Sequence, residues 1–397
     1  MKIKTRQKID YIIGTPICLF LSLINNFIKS LRLINCANLK KFQIKNVLII
    51  KFWGMGSIML AADGIYSIKK NIADIRIYFL TLSRNKDFIK YLNIVDEILT
   101  INIDANFFIF WADIMKLIFK FLKTKFDVVV DLEFFTRFSA ILSFFSRAKI
   151  IAGFYDWSVY RGNIHNIKVP FNRYWHVKKN FENLIKSAFA FKKDFKIFSF
   201  NIQISDKDIQ ALKDLLTENK INTDKLVVVN INVGDLALER RWPLEYFLEL
   251  IESLIYKYEM DVVLIGSPLE RNFVEDFIQQ IKSSKVFNLA GKLSFVELFA
   301  LFKIAKFVIT SDSGPFHLVD AIGGKVVIFF GPETPVLYGP LNQQNSVVLF
   351  KNLDCSPCIN VFKGKMLKCY RNRSRPDCLV SITPQEVLEK IIEKGWL

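Results

Sequence analysis

The sequence predicts an α/β protein made of two domains, each built on a parallel sheet. From residue 45 onward, short runs rich in Val and Ile alternate with longer amphipathic runs, and the alternation restarts after a polar stretch at residues 192–224. Continuous β-branched runs separated by helices are typical of strands that are covered on both faces of a sheet. The length of 397 residues agrees with two domains, because a single core rarely grows to that size.

The first domain, residues 45–200, contains five predicted strands and three predicted helices. The strands lie at residues 47–53, 75–81, 97–103, 126–132 and 149–154. The helices lie at residues 58–70, 107–123 and 137–146. This order of elements indicates a Rossmann-like domain.

The second domain, residues 201–397, repeats this pattern after one predicted helix at residues 206–216. Its strands are predicted at residues 226–233, 261–267, 286–291, 307–312, 326–331 and 347–350. Its helices are predicted at residues 243–258, 270–283, 294–304 and 316–322, and a capping box with Pro at the first helical position, Thr383 to Glu386, opens a terminal helix. Two such domains would face each other across a cleft at the carboxyl ends of their strands, where open α/β sheets bind ligands.

Residues 1–44 form a basic and apolar N-terminal segment. Four cations lie within residues 1–8, and residues 11–28 are apolar but interrupted by Asn25 and Asn26. Eighteen residues are few for a membrane span of about 20, and cations flank the run on both sides. The pattern favours a helix that lies in the membrane interface, with a transmembrane helix and a buried core helix as alternatives.

The formal net charge of +17 predicts an anionic partner. Nucleic acid, acidic lipid and phosphorylated substrates are all anions that a chain with this positive charge would attract. The charge is spread along the chain and no nucleic-acid-binding motif is present, so we expect no nucleic-acid partner. No cleavable signal pattern follows the early apolar run, which predicts a reducing cytoplasmic setting without a disulfide framework.

The clearest candidate site follows the predicted strand at residues 307–312, where a turn of small residues opens a helix. Backbone N–H groups at a helix N-terminus attract anions, and Gly314 lets a phosphate approach closely. Asp312, Ser313 and His317 belong to the same segment. The alternative is a simple helix entry with a structural histidine.

Three further loops of the second domain point to the same site. A second Gly- and Pro-rich loop lies at residues 330–340. Arg240 and Arg241 stand at a strand-to-helix turn, where guanidinium groups suit a diphosphate, and a solvated basic turn is the alternative. Glu270 follows another strand and suits ribose hydroxyls, although a carboxylate at a helix N-terminus has the same pattern.

The first domain offers two candidate segments. Residues 51–57, Lys51 to Ser57, follow the first strand, but their glycines lack the spacing of a dinucleotide fingerprint or a P-loop. Asp131 and Glu133 lie two residues apart at a strand end, so both carboxylates would face one way if the strand continued. We interpret them as candidate acid/base groups beside the cleft, with solvated loop carboxylates as the alternative.

Four of the six cysteines cluster near the C-terminus: Cys355, Cys358, Cys369 and Cys378. The first two are spaced as a tetrahedral zinc site requires, whereas the last two lack the second tight pair. A structural zinc site, free buried thiols and a redox-labile pair all remain open. The basic residues between 362 and 375 would stabilise thiolates or meet acidic phosphates.

These segments together resemble glycosyltransferase family 9, the ADP-heptose:lipopolysaccharide heptosyltransferases. The resemblance covers roughly residues 45–390 in family order and is most specific in the last two of its motifs. The motifs are Val47-Leu-Ile-Ile-Lys51 with Gly54-Met-Gly56, Arg240-Arg-Trp-Pro243, Gly266 with Glu270, Ser311-Asp-Ser-Gly-Pro-Phe-His-Leu318, and Phe330-Gly-Pro-Glu-Thr-Pro335.

The resemblance implies a GT-B fold and an inverting transfer that requires no metal cofactor. The donor would be a nucleotide-diphosphate sugar such as ADP-heptose, and the acceptor a lipopolysaccharide core or another lipid-linked saccharide at the cytoplasmic face of the inner membrane. Arg240 matches a basic residue near the donor phosphates and Glu270 a ribose-side acid. The diphosphate loop of the family matches Asp312, Ser313, Gly314 and His317.

One position departs from the family pattern. The family usually has Met-Gly-Asp after the first strand, and that Asp is its proposed base, whereas this chain has Met55, Gly56 and Ser57. These residues and Lys51 would lie on the acceptor side. Either another carboxylate serves as the base, with Glu133, Asp131 and Asp63 as candidates, or the chain is catalytically altered; among the carboxylates we predict Glu133. A sugar-nucleotide epimerase and a membrane-bound nucleotide-sugar binding protein that has lost catalysis are the alternative functions.

Overall fold

The computed structural model describes residues 3–31, 43–134, 136–234, 238–360, 365–366, 369 and 375–397. The chain divides into two compact units. Unit 1 comprises Met1–Phe200 and Asn360–Lys365, and unit 2 comprises Asn201–Ile359 and Met366–Leu397.

Unit 1 is built on a six-stranded parallel sheet. Its strands are β1 (Asn46–Ile50), β2 (Arg76–Leu82), β3 (Glu97–Ile101), β4 (Val128–Asp131), β5 (Ile150–Tyr155) and β6 (Ile167–Pro170). The spatial order is β3-β2-β1-β4-β5-β6, and each neighbouring pair is parallel. The order therefore reverses between β1 and β4, which are neighbours although two strands separate them in the chain. Such a switch point leaves a crevice at the carboxyl ends of the two strands.

Seven α-helices accompany this sheet in the described part of unit 1. They are α1 (Ile3–Ile12), α2 (Gly14–Leu31), α3 (Met55–Asn71), α4 (Lys86–Leu92), α5 (Phe107–Lys123), α6 (Arg137–Phe145) and α7 (Val177–Ala188). A 3₁₀ helix, Ser83–Asn85, precedes α4. Helix α5 begins where the Asn106 side chain accepts a hydrogen bond from Ile109 N, and its inward face packs on the sheet.

The N-terminal helices pack against α6. The Asp10 carboxylate accepts hydrogen bonds from the backbone N–H groups of Arg137 and Phe138 at 3.0 and 2.9 Å, and so caps the N-terminus of α6. A carboxylate at this place stabilises a helix by about 0.3–1 kcal/mol. The Asn25 side chain donates to Asn163 O, and Asn163 donates to the Asn26 side chain, both at 2.7 Å.

The opposite face of these two helices is exposed. Residues Thr5–Phe27 are long and apolar enough to cross a membrane by length and composition alone, and 22% of that segment's apolar window is buried. The structure shows one face packed on α6 through Cys18 and Leu21. The other face carries Phe20 and Leu23, which are 62% and 61% exposed.

Unit 2 repeats the topology of unit 1. Its sheet contains β7 (Leu226–Asn230), β8 (Asp261–Leu264), β9 (Val286–Asn288), β10 (Phe307–Ser311), β11 (Val326–Phe330) and β12 (Ser346–Phe350). The spatial order is β12-β11-β10-β7-β8-β9, again parallel throughout. The switch point lies between β7 and β10. Two short strands, β13 (Ile359–Asn360) and β14 (Lys365–Met366), pair with each other.

The helices of unit 2 cover this sheet and its connections. The α-helices are α8 (Asp206–Glu218), α9 (Leu244–Tyr258), α10 (Arg271–Ile278), α11 (Phe295–Ile304), α12 (Gly314–Ala321), α13 (Pro335–Tyr338), α14 (Asp377–Val380) and α15 (Pro384–Glu393). The 3₁₀ helices are Thr223–Lys225, Leu238–Arg240 and Pro268–Glu270. Capping boxes at Ser205 and Ser294 start α8 and α11.

The prediction of two α/β units with parallel sheets is confirmed, and every predicted strand is present. Strand β6 escaped prediction because it is a four-residue edge strand that ends at Pro170. The helix predicted at 270–283 is a 3₁₀ turn followed by α10, which ends at Ile278. The capping box predicted at Thr383 is half formed, because the Glu386 carboxylate binds Lys351 at 2.7 Å.

Candidate functional site

The candidate site of unit 2 lies at the carboxyl ends of β7 and β10. Asn230 is the last residue of β7, and its side-chain amide donates to Thr310 Oγ1 at 3.0 Å and to Ser313 Oγ at 3.1 Å. These bonds tie the end of one central strand to the turn that follows the other. The turn leads directly into α12, so the N-terminus of that helix lies at the switch point.

Asp312 and Arg240 form the charged centre of this site. Asp312 is 2% exposed, and its Oδ2 lies 3.2 Å from Arg240 Nη1. The Arg240 side chain is 21% exposed, and in the described ranges its Nε–H has no hydrogen-bond partner. The carboxylate therefore orients the guanidinium, and the Nε–H is a buried donor without a partner among the residues that the structure describes.

Trp242 fixes the position of this arginine. It is fully buried, its indole N–H donates to Ile382 O at 2.9 Å, and its ring stacks on Phe329 with centroids 4.4 Å apart. The backbone N–H of Trp242 also donates to Ser311 Oγ, at the end of β10. The Arg-Trp-Pro turn is thus anchored in the core two residues from Arg240.

The two neighbouring arginines separate in the structure. The Arg241 guanidinium lies 5.2 Å from the Phe273 ring centroid, over its face, whereas Arg240 reaches Asp312. The two guanidinium groups therefore contact different partners in the structure, and a shared diphosphate site stays a prediction. Arg240 alone of these two contacts the described Asp312 loop.

Glu270 is held by two partners near the end of β8. One carboxylate oxygen accepts from the Ser267 backbone N–H at 2.7 Å, and the other accepts from the Asn232 side chain. Asn232 lies two residues after β7, so Glu270 comes to the same edge of the sheet as the Asp312 turn. Glu270 therefore caps the 3₁₀ helix, as the second interpretation of the sequence has it, and it also borders the switch point.

His317 connects the Asp312 turn with the second Gly- and Pro-rich loop. It is 6% exposed in α12, with its ring centroid 4.6 Å from that of Phe316 and 6.2 Å from that of Tyr338 in α13. The two most specific motifs of the chain therefore meet in space. Ser313 and Gly314 begin α12 beside them.

Glu333 is a residue of this site that the sequence did not single out. It is 4% exposed, and its Oε1 accepts from the Thr334 backbone N–H at 3.0 Å. Burial, and after it the negative charge of Asp312, raise the pKa of Glu333 to about 8, while the Thr334 N–H and Arg240 oppose the shift. Its position inside the Gly-Pro-Glu-Thr-Pro loop was the feature of the sequence that could have identified it as a site residue.

The candidate site of unit 1 lies at the ends of β1 and β4. Lys51 follows β1 and Glu133 follows β4, and both side chains are almost fully buried. Glu133 Oε1 accepts from Lys51 Nζ at 2.8 Å and from the backbone N–H groups of Phe52 and Trp53 at 2.7 and 3.1 Å. Its second oxygen, Oε2, has no hydrogen-bond partner among the described residues.

Asp131 belongs to a different buried network. Its carboxylate binds Arg161 and lies 3.1 Å from His165 Nε2, and the Glu133 backbone N–H donates to it at 3.1 Å. Burial alone would raise the pKa of Asp131, but Arg161 and His165 hold it below its ordinary value. The alternative of solvated loop carboxylates is therefore wrong for both Asp131 and Glu133. Both carboxylates are buried, and each binds at least one side chain that is distant in the sequence.

The segment from Gly54 to Ser57 is the N-terminus of α3. Gly54 has φ of 80°, a backbone conformation that favours glycine, and α3 begins at Met55, earlier than predicted. Gly56 is buried, whereas Met55 and Ser57 are half-buried in the first turn. Asp63, farther along α3, binds Lys178 Nζ at 2.6 Å and Phe200 N at 2.9 Å.

The clustered cysteines lie beside the loop that carries Glu333. The Cys358 backbone N–H donates to Pro332 O at 2.9 Å. Burial and then the neighbouring thiols raise the pKa of Cys358, and they raise that of Cys378 to about 12. Cys355 and Cys369 contribute to both shifts, so the thiols lie close together. No group of three or more His, Cys, Asp or Glu side chains in the described part of the chain forms a metal site.

A family model for glycosyltransferase family 9 (heptosyltransferase) matches residues 114–370. Lipooligosaccharide heptosyltransferase 2 of Campylobacter jejuni is 26% identical over 199 residues, which is 49% of this chain and 60% of that protein. Lipopolysaccharide heptosyltransferase 2 of Escherichia coli is 28% identical over 155 residues, 38% of this chain and 42% of that one. The chain thus spans about 60% or less of the length of these relatives.

The fold is similar to that of solved heptosyltransferases. The structure of Escherichia coli ADP-heptose lipopolysaccharide heptosyltransferase II has a TM-score of 0.69 at 17% identity, covering 88% of this chain and 98% of that one. A family 9 glycosyltransferase from Veillonella parvula has a TM-score of 0.68 at 19% identity, covering 89% and 99%.

We expect Glu333 to make the stability of unit 2 depend on pH. Because its pKa rises from an ordinary 4.5 to about 8, the folded chain binds the proton more tightly than the unfolded chain between these values. The free energy of unfolding should therefore fall as the pH rises from about 4.5 to about 8. Glu333→Gln should flatten this dependence in thermal melts recorded across that range, with Glu249→Gln as an exposed control. Parallel profiles for wild type and Glu333→Gln would contradict the assignment.

Proposed function

This chain belongs to glycosyltransferase family 9, and we propose that it transfers a sugar from a nucleotide diphosphate to a lipid-linked saccharide. The observation that carries the proposal is the pairing of Arg240 with Asp312 beside the N-terminus of α12. We propose ADP-heptose as the donor and a lipopolysaccharide core as the acceptor, by similarity to relatives that bear these names.

The donor site acts on the diphosphate that leaves the anomeric carbon. As the bond between that carbon and the phosphate oxygen breaks, negative charge grows on the diphosphate. Arg240 and the first backbone N–H groups of α12 supply positive charge there, and Gly314 admits the phosphate closely. Glu270 would accept hydrogen bonds from ribose hydroxyls. These groups let the transfer proceed without a metal cofactor.

The acceptor hydroxyl must lose a proton as its oxygen bonds to the anomeric carbon. Ser57 is a poor base at neutral pH, and both carboxylate oxygens of Asp63 and of Asp131 already have partners. Glu133 is held by three donors on one oxygen while Oε2 has no partner in the described ranges. We therefore keep Glu133 as the proposed base, with Lys51, Met55, Gly56 and Ser57 on the acceptor side.

Transfer from ADP-heptose to a heptose-deficient lipopolysaccharide core tests the function, and Glu133→Gln tests the base. Loss of the base should lower kcat by roughly 10²–10⁴-fold while donor affinity is retained. Lys51→Met is the matched control, because it breaks the same buried pair at 2.8 Å but leaves the carboxylate in place. Both variants should be destabilised, since a buried charge loses its partner. Equal losses of kcat in the two variants would show that the pair only shapes the turn after β1.

A nucleotide-sugar binding protein without transfer activity is the second candidate. It is favoured by Ser57 in place of the family acid and by the ion pairs that occupy Asp63, Asp131 and Glu133. Wild-type protein that binds the donor but transfers no sugar in the same assay would establish this function instead.

We propose that the chain attaches peripherally to the cytoplasmic face of the inner membrane. Helices α1 and α2 pack one face on α6 and expose an apolar face, as an interfacial helix does. The net charge of +17 suits an anionic lipid surface. Attachment there would bring the acceptor site close to lipid-linked saccharides.

We propose that the four clustered cysteines, Cys355, Cys358, Cys369 and Cys378, are reduced thiols that bind no metal, with a structural zinc ion as the alternative. They form no group of three possible metal ligands in the described part of the chain, and burial raises the pKa of Cys358 and of Cys378, which favours protonated thiols. Protein purified without chelator should contain less than about a tenth of an equivalent of zinc, with all four thiols titratable after denaturation. Zinc near one equivalent would contradict this proposal.

A further inference from the structure

Helix α5 carries two apolar rows on opposite sides. The inner row, Ile114, Leu117 and Phe121, is buried against the sheet of unit 1. The outer row is spaced by three or four residues along the opposite side of the helix and consists of Phe108, Trp111, Met115, Phe119 and Leu122. A helix on the surface of a soluble domain normally has one apolar stripe, facing the core.

The outer row is exposed to an unusual degree. In the described part of the chain Phe108 is 81% exposed and Phe119 57%, and Trp111 and Met115 are each 48% exposed. Contiguous large apolar side chains on a surface usually mark a place where a partner or a membrane binds.

Lysines border this row. Lys116 and Lys123 are exposed beside the outer row, whereas Lys120 is half-buried and pairs with Glu97 at 2.5 Å. The one acidic residue of α5, Asp113, accepts a hydrogen bond from the backbone N–H of Asn102. Lysines beside an apolar stripe can bury their stems while their ammonium groups reach anionic headgroups.

The outer row lies on the same side of the sheet as the N-terminal helices. The rings of Phe110 in α5 and Phe138 in α6 lie 6.3 Å apart, so these two helices are neighbours. Helix α1 bridges them, since Asp10 caps α6 and Arg6 binds Asp104, just before α5, at 2.7 Å. The exposed faces of α1, α2 and α5 therefore belong to one side of unit 1.

We infer that the outer row of α5 inserts into an anionic bilayer surface together with the exposed face of α2. This extends the membrane attachment proposed above to a helix inside the sheet domain, and it does not depend on transfer activity. A bilayer fits better than a second copy of the chain, because a like surface would bring Lys116 and Lys123 of the two copies together. Two helices that dock on one membrane fix the orientation of unit 1 there, which one helix cannot do.

Flotation with phosphatidylglycerol vesicles tests this docking surface. The triple variant Phe108→Ser, Trp111→Ser, Phe119→Ser should lower vesicle binding by at least about tenfold. The α2 variant Phe20→Ser, Leu23→Ser, Phe27→Ser should have a similar effect, and both sets together should abolish binding. Lys116→Gln with Lys123→Gln should weaken binding by roughly tenfold to anionic vesicles and leave binding to phosphatidylcholine vesicles unchanged.

A matched control removes three exposed apolar side chains from unit 2: Leu269→Ser, Leu341→Ser and Ile392→Ser. It should bind vesicles as wild type does. The α5 variant should keep its melting temperature and its stabilisation by the nucleotide sugar, which separates loss of docking from misfolding and from failure of the donor site. Wild-type vesicle binding by the α5 variant would overturn the inference. A change in oligomeric mass without a change in vesicle binding would also overturn it, in favour of an interface between copies.

Discussion

The reversal of strand order in each sheet is the constraint on which both candidate sites depend. Between β1 and β4, and again between β7 and β10, the connections leave in opposite directions, so the loops after these neighbouring strands diverge. Lys51 and Glu133 lie at the first reversal, and Arg240 and Asp312 close to the second. A ligand can reach backbone N–H groups there without breaking the sheet.

Each reversal carries a buried or half-buried ion pair that stabilises the fold little. Apolar residues of the same volume often stabilise a core as well as a buried ion pair does. The two ion pairs are therefore better explained by the side chains and turns that they hold in position than by a contribution to the free energy of folding. Asp312 holds the Arg240 guanidinium beside the turn that leads into α12, and Glu133 fixes the turn that opens α3. Trp242 has a purely structural role beside the second pair, because its buried ring anchors the loop that carries Arg240.

Local patterns predicted most of the fold and part of the site. Apolar runs identified every central strand, because parallel strands covered on both faces need continuous apolar residues. The same reasoning could not identify the partner of Glu133, which lies 82 residues away in the chain, nor the Arg161 that binds Asp131. Such partners depend on strand order, which periodicity does not contain. The outer row of α5 was also hidden, because an apolar residue in the sequence does not show which side of its helix is buried.

The claim that the β7/β10 end of unit 2 binds a nucleotide-diphosphate sugar is tested most directly by ligand-induced stabilisation. A panel of nucleotide sugars should contain one, ADP-heptose, that raises the melting temperature of wild type. At a hundredfold excess over Kd this stabilisation amounts to about 2.7 kcal/mol. Asp312→Ala should lose the shift, and Lys51→Met, in unit 1, should retain it. A shift of equal size in Asp312→Ala, or no shift with any nucleotide sugar, would contradict the assignment of this site.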